Sequence, residues 1–104
     1  MQFNKLVRDK IPEIIKSSGD VPFVHIADGK EYEESLRNKL DEEVKEFLNH
    51  PSVEEAADIL EVVHAICDLK GVNLNNLEEI RKKKVEERGA FQQRIILEKT
   101  DDKK

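Results

Sequence analysis

A chain of 104 residues with a formal net charge of -5 has room for one domain with a modest core. With 38% hydrophobic residues, 5% aromatics and no Trp, that core is expected to be aliphatic and to be completed by oligomerisation, while the acidic balance argues against a nucleic-acid duplex as partner. No apolar run nears the roughly 18 residues that span a bilayer, MQFNKLVRDK lacks the apolar block of a signal peptide, and the lone Cys67 excludes an internal disulfide, so a cytoplasmic setting without a membrane partner is expected.

Asp9 is placed to cap a short helix that carries Ile11, Ile14 and Ile15 and stops at Gly19. VPFVHIA, residues 21–27, has β-branched and aromatic residues next to turn signals and reads as a strand. Asp28 with Glu31 forms a capping-box-like start for a long helix ending near Asn49 and Pro51. Ser52 with Glu55 opens a second long helix that runs to Gly71. Asn73 caps a last helix that stops at Gly89, and FQQRIILE, residues 91–98, reads as a second strand able to pair with the first. The expected fold is mainly α with a minor two-stranded β element, in one domain over residues 1–99 followed by a polar tail, 100–104.

Acidic doublets recur along the chain, so helical angle rather than charge count identifies the informative carboxylates. Tyr32, Leu36, Leu40, Val44, Phe47 and Leu48 form the apolar stripe of the first long helix. Glu43 lies at its border and Glu46 one turn further on, side by side with it, whereas Glu42 falls on the far side. On the second long helix Ile59, Leu60, Val63, Ile66 and Cys67 form the main apolar face, and Glu54, Glu61 and Asp68 take the opposite, solvated side. Glu55 and Asp58 lie instead on a flank that continues as Val62, Ala65 and Leu69. Carboxylates on a covered flank lose hydration and repel each other, so they require a cation, a proton or several donors. Glu55 also has a simpler role as the third residue of the Ser52 capping box, but capping leaves Asp58 unexplained.

A short connection makes the two long helices antiparallel neighbours and brings both acidic pairs to similar height. Four carboxylates without His or Cys suit Mg²⁺, or Mn²⁺ in its place, rather than zinc. The last helix supplies the opposite sign: Arg81, Lys84 and Arg88 continue the line of Leu77 and Ile80, with placement suited to phosphate oxygens or simply to a helix C-terminus. Lys39, one turn before Glu43, can pair with it or hold phosphate. Lys5, Arg8 and Lys10 flank the apolar Leu6-Val7. His25, His50 and His64 have no metal-ligand spacing, and Cys67 reads as a packing residue.

Glu42-Glu43-x-x-Glu46 followed by Glu55-x-x-Asp58 resembles the signature of the all-α NTP pyrophosphohydrolases, the MazG-like superfamily that includes dimeric dUTPases and phosphoribosyl-ATP pyrophosphohydrolase. NKLVRDKIPEII, KLDEEVKEF, EEAADILEVVHAI and KKKVEERGAF extend the resemblance, to a small phosphoribosyl-ATP pyrophosphohydrolase-like branch, over nearly the whole chain. Ala90 departs from it, standing where that branch usually has a second Gly. The resemblance implies an antiparallel helical bundle, completed as a homodimer or homotetramer. It implies a Mg²⁺-dependent hydrolase that splits a nucleoside triphosphate between the α and β phosphorus into monophosphate and pyrophosphate. Metal ligands would be Glu43, Glu46, Glu55 and Asp58, with Glu43 or Glu46 also accepting a proton. Lys84 and Arg88 match phosphate-contacting positions, and Arg8 and Lys10 are further substrate contacts on the same likeness. Phosphoribosyl-ATP as substrate, and a non-catalytic helical oligomer that binds metal or nucleotide, are the alternatives.

Overall fold

The computed structural model describes residues 4–101, so the end of the expected tail, 102–104, lies outside the described residues. Four helices follow one another: α1 (Ile11–Ser17), α2 (Gly29–Asn49), α3 (Val53–Leu69) and α4 (Leu74–Arg88). No strand occurs among the described residues, and no helix is long and apolar enough to cross a membrane. The chain divides into two compact units between Val72 and Asn73.

In the first unit α2 and α3 pack against each other through the connection at His50, Pro51 and Ser52. Local chemistry sets both ends of this hairpin. The Asp28 side chain accepts the Glu31 N–H at 2.8 Å and starts α2. Ser52 Oγ accepts the Glu55 N–H at 3.2 Å and starts α3. At the far end of α3, Gly71 takes a positive φ of 73°. This allows the Gly71 N–H to reach Asp68 O at 3.2 Å and the Val72 N–H to reach Cys67 O at 2.8 Å. Those paired bonds satisfy carbonyls that a helix end otherwise leaves open. Gly19 ends α1 by the same pair of bonds, Gly19 N–H to Lys16 O and Asp20 N–H to Ile15 O.

The start of α1 differs from expectation. Lys10, not Asp9, occupies the cap position, with helical backbone angles and no side-chain bond to the first turn. An Asp cap requires an extended backbone that frees its oxygen for the N–H groups ahead. Here the chain is already turning at residues 9–10, and Pro12 in the first turn supplies the preset φ instead.

The two segments expected as strands, 21–27 and 91–98, are irregular. Phe23 is 92% exposed and Phe91 97%. β-branched composition favours extended backbone, but a strand exists only when a second backbone pairs with it. Neither segment has a ladder partner among the described residues. The second unit contains α4, capped by Asn73, whose side chain accepts from the Asn75 and Asn76 N–H groups, and then a turn in which the Arg94 N–H reaches Phe91 O.

Leu36, 2% exposed, and Val62, 8%, are the buried apolar side chains of the hairpin. Truncating a side chain so fully enclosed removes transfer energy and leaves a cavity, about 2–5 kcal/mol in cores of this kind. Leu36→Ala is therefore expected to remove a large fraction of the stability of so small a domain, seen as a lower urea midpoint at unchanged slope by far-UV circular dichroism.

Candidate metal centre

Seven residues bring a helical side chain back to nearly the same face. On α2 that spacing joins Leu36 to Glu43, and on α3 it joins Glu55 to Val62. The contact seam thus carries an aliphatic residue and a carboxylate on each helix. Glu43 is only 6% exposed, and Glu55 and Asp58 are half-buried. Carboxylate oxygens of Glu43, Glu55 and Asp58 all lie within 4.8 Å of one another. Glu43 Oε2 and Glu55 Oε2 are buried and have no hydrogen-bond partner. The Glu55 backbone N–H serves the Ser52 cap, while its carboxylate sits in the cluster, so capping accounts for only half of this residue.

Two cations reach the cluster. Arg8 Nη2 donates to Asp58 Oδ1 at 2.6 Å. Lys39 Nζ lies 3.5 Å from Glu43 Oε1 and 3.7 Å from Glu42 Oε2. The Arg8–Asp58 pair is well exposed on both sides, which holds its worth to about 1 kcal/mol or less. A buried polar atom without a partner costs about 1–3 kcal/mol, and more when charged. Neither cation satisfies the two orphaned oxygens. Burial accordingly raises the Glu43 carboxyl above the usual glutamate range; the neighbouring Glu46 and Asp58 charges push the same way and Lys39 opposes them.

The donor set fits a hard divalent cation. Oxygens on opposite sides of Mg²⁺ are about 4.2 Å apart and around Ca²⁺ about 5 Å, so oxygens within 4.8 Å need only small side-chain adjustments to close on an ion. Such an ion would offset the charge of the two carboxylates that carry the orphaned oxygens.

Of the four carboxylates singled out in the sequence, three converge. Glu46 is exposed and outside the three-oxygen cluster, although its charge is felt at Glu43. A cavity of about 290 Å³ opens beside the cluster. Leu6, Val7, Tyr32, Val62 and Ala65 give it an apolar wall, and Arg8, Lys39, Glu43, Asp58 and Glu61 a charged one. Glu61 is exposed, as its helical angle implies, but lies on the cavity wall rather than away from it. Tyr32 was legible only as a stripe residue, because nothing in helical spacing reveals that the 6–9 segment crosses α2 and α3 at that height. Lys10 stands exposed at the start of α1. In the second unit Lys84 and Arg88 are exposed on α4, and Arg81 pairs with Glu78 one turn before it.

The raised Glu43 carboxyl makes the metal-free fold sensitive to pH. Its contribution is fully present when it is neutral in both folded and unfolded chains, below about pH 4. That contribution is lost as pH rises through the elevated folded value, because the buried charge must then be tolerated. In chelator-treated protein Glu43→Gln is expected to melt higher than the wild type near pH 7 and to converge with it near pH 4, measured by calorimetry. A wild type that melts higher at both values would contradict the reading of Glu43 as an uncompensated buried charge.

Among known proteins, no family model matches this chain and no solved structure matches it. An uncharacterized protein of Mycolicibacterium smegmatis is 50% identical over 43 residues. The match spans 41% of this chain and 44% of that protein, less than half the length of either.

Proposed function

We propose that this chain is a Mg²⁺-dependent nucleoside triphosphate pyrophosphohydrolase. One observation carries the reading: two buried carboxylate oxygens without partners, beside a third carboxylate, at the edge of a cavity large enough to take part of a nucleotide. The sequence resemblance to the MazG-like enzymes supports the same chemistry. Glu43, Glu55 and Asp58 would hold the ion through their clustered oxygens, and Glu46 completes the set on the resemblance. When bound, Mg²⁺, or Mn²⁺ in its place, supplies positive charge to phosphate oxygens in the in-line transition state.

The chain's own residues do the rest. Lys39 and Arg8 place positive charge on the cavity wall, where phosphate oxygens need it. Tyr32, Val62 and Ala65 offer an apolar face for the organic part of the substrate. On the sequence resemblance, Glu43 or Glu46 accepts at a carboxylate oxygen the proton of the attacking water as the α–β phosphoanhydride breaks and pyrophosphate leaves. Lys10, Lys84 and Arg88 are assigned phosphate contacts on the sequence resemblance alone.

Purified protein with Mg²⁺ is expected to release pyrophosphate from at least one NTP. Glu43→Gln and Glu55→Gln should abolish release, and Glu46→Gln should slow it by about 10²–10⁴-fold. Phosphoribosyl-ATP in a parallel assay distinguishes the related substrate. No release from any of these above the Glu43→Gln background would leave a metal-binding helical protein without this activity.

The active form is proposed to be a homodimer or homotetramer in the cytoplasm. The apolar face of α3 supports association: Val62 is buried, but Leu60 is 57% exposed, and Leu48 and Val53 beside the turn are more exposed still. A single subunit leaves Leu48, Val53 and Leu60 in water. Light scattering is expected to give a mass at a multiple of 12.0 kDa, and a monomer at micromolar concentration would contradict this assembly.

A further inference from the structure

We propose that Arg8 is a placeholder cation: it neutralises Asp58 until a divalent ion arrives, and is then released to bind the anion that accompanies the ion. The inference rests on the metal-binding reading above and adds a coupling between metal and anionic ligand at that site. Arg8 Nη2 occupies Asp58 Oδ1 at 2.6 Å, and Asp58 is one of the three clustered carboxylates. A metal ion contacts a carboxylate oxygen at about 2.0–2.1 Å in the case of Mg²⁺. Guanidinium and ion therefore compete for the charge of the Asp58 carboxylate, through like-charge repulsion at close range.

The backbone and side chain of Arg8 are held very differently. Its carbonyl accepts the Ile11 N–H at 3.1 Å, which ties its main chain to the turn leading into α1, and the adjoining Leu6 is half-buried. Its side chain is 56% exposed. Displacement thus needs only rotation of the side chain about a fixed anchor. A released guanidinium stays on the cavity wall, and its planar fork suits two oxygens of a phosphate or pyrophosphate group. Lys39 does not duplicate this role, being turned to Glu42 and Glu43. Glu61, also on the cavity wall, is the competing acceptor for a released Arg8.

Mn²⁺ titration of the full chain, followed by the electron paramagnetic resonance of free Mn²⁺, tests the first half. With its competitor removed, Arg8→Gln is expected to bind Mn²⁺ about two- to five-fold more tightly than the wild type, the range set by an exposed ion pair. Pyrophosphate titrated at saturating free Mn²⁺ tests the second: Arg8→Gln should bind it about tenfold more weakly or worse. Arg8→Lys, which keeps the charge without the fork, should restore wild-type Mn²⁺ affinity but not pyrophosphate affinity. Far-UV circular dichroism and melting temperature confirm that the variants fold. Unchanged or weaker Mn²⁺ binding by Arg8→Gln would overturn the placeholder role. Unchanged pyrophosphate affinity would overturn the release step and point to capture by Glu61. A wild type that takes up no Mn²⁺ would defeat the metal reading itself, and this inference with it.

Discussion

Glu43 Oε2 and Glu55 Oε2 occupy a helix–helix seam in which no donor reaches them. Every other feature of the first unit bears on that fact. Leu36 and Val62 enclose the apolar part of the seam, and the same seven-residue spacing brings Glu43 and Glu55 into the part near the turn. The hairpin cannot bury its aliphatic residues without also drawing these carboxylates out of water. Arg8 and Lys39 offset some of the resulting repulsion from the edges, at Asp58 Oδ1 and Glu43 Oε1, and leave the two inner oxygens open. Stability of the seam and the charge that a cation would need are therefore opposed: changes that relieve the repulsion remove that charge.

Much of this was visible in the sequence, for definite reasons. Caps and glycine stops depend on a few neighbouring residues, so Asp28, Ser52, Gly19 and Gly71 could be placed from local chemistry, and the structure has them at helix ends. The covered flank of α3 was legible because one angular rule separates Glu55 and Asp58 from Glu54 and Glu61. What that rule ranked incorrectly was the relative burial of the two faces. Leu60 belongs to the more apolar face yet is 57% exposed, while Val62, on the acidic flank, is enclosed. Angular position tells which residues share a face, not which face meets the next helix in the same chain.

The remaining misreadings concern contacts that helical period does not encode. Glu46 neighbours Glu43 along α2, but its greater rotation away from the seam keeps it in solvent. The residues at 21–27 and 91–98 have strand-like composition, and pairing is a property of two backbones rather than one. Asp9 failed as a cap because the chain had already adopted helical angles at Lys10. Arg8 was identifiable as a cation near an apolar anchor, but its partner Asp58 lies 50 positions away, beyond the reach of any local pattern.

The three-residue connection between α2 and α3 has a consequence for how the carboxylate cluster comes into being. Glu43, Glu55 and Asp58 all belong to one helix–turn–helix, so their contacts have low sequence separation. Closing a loop this short is fast, on the order of 10–100 ns for about ten residues, and carries little entropic cost compared with joining distant segments. The cluster can thus assemble as the hairpin closes, without waiting for any more distant contact. During synthesis, a chain that has emerged through α3 already holds all three carboxylates. Topology then sets the order of events, with the charge centre formed locally as α2 and α3 close on each other.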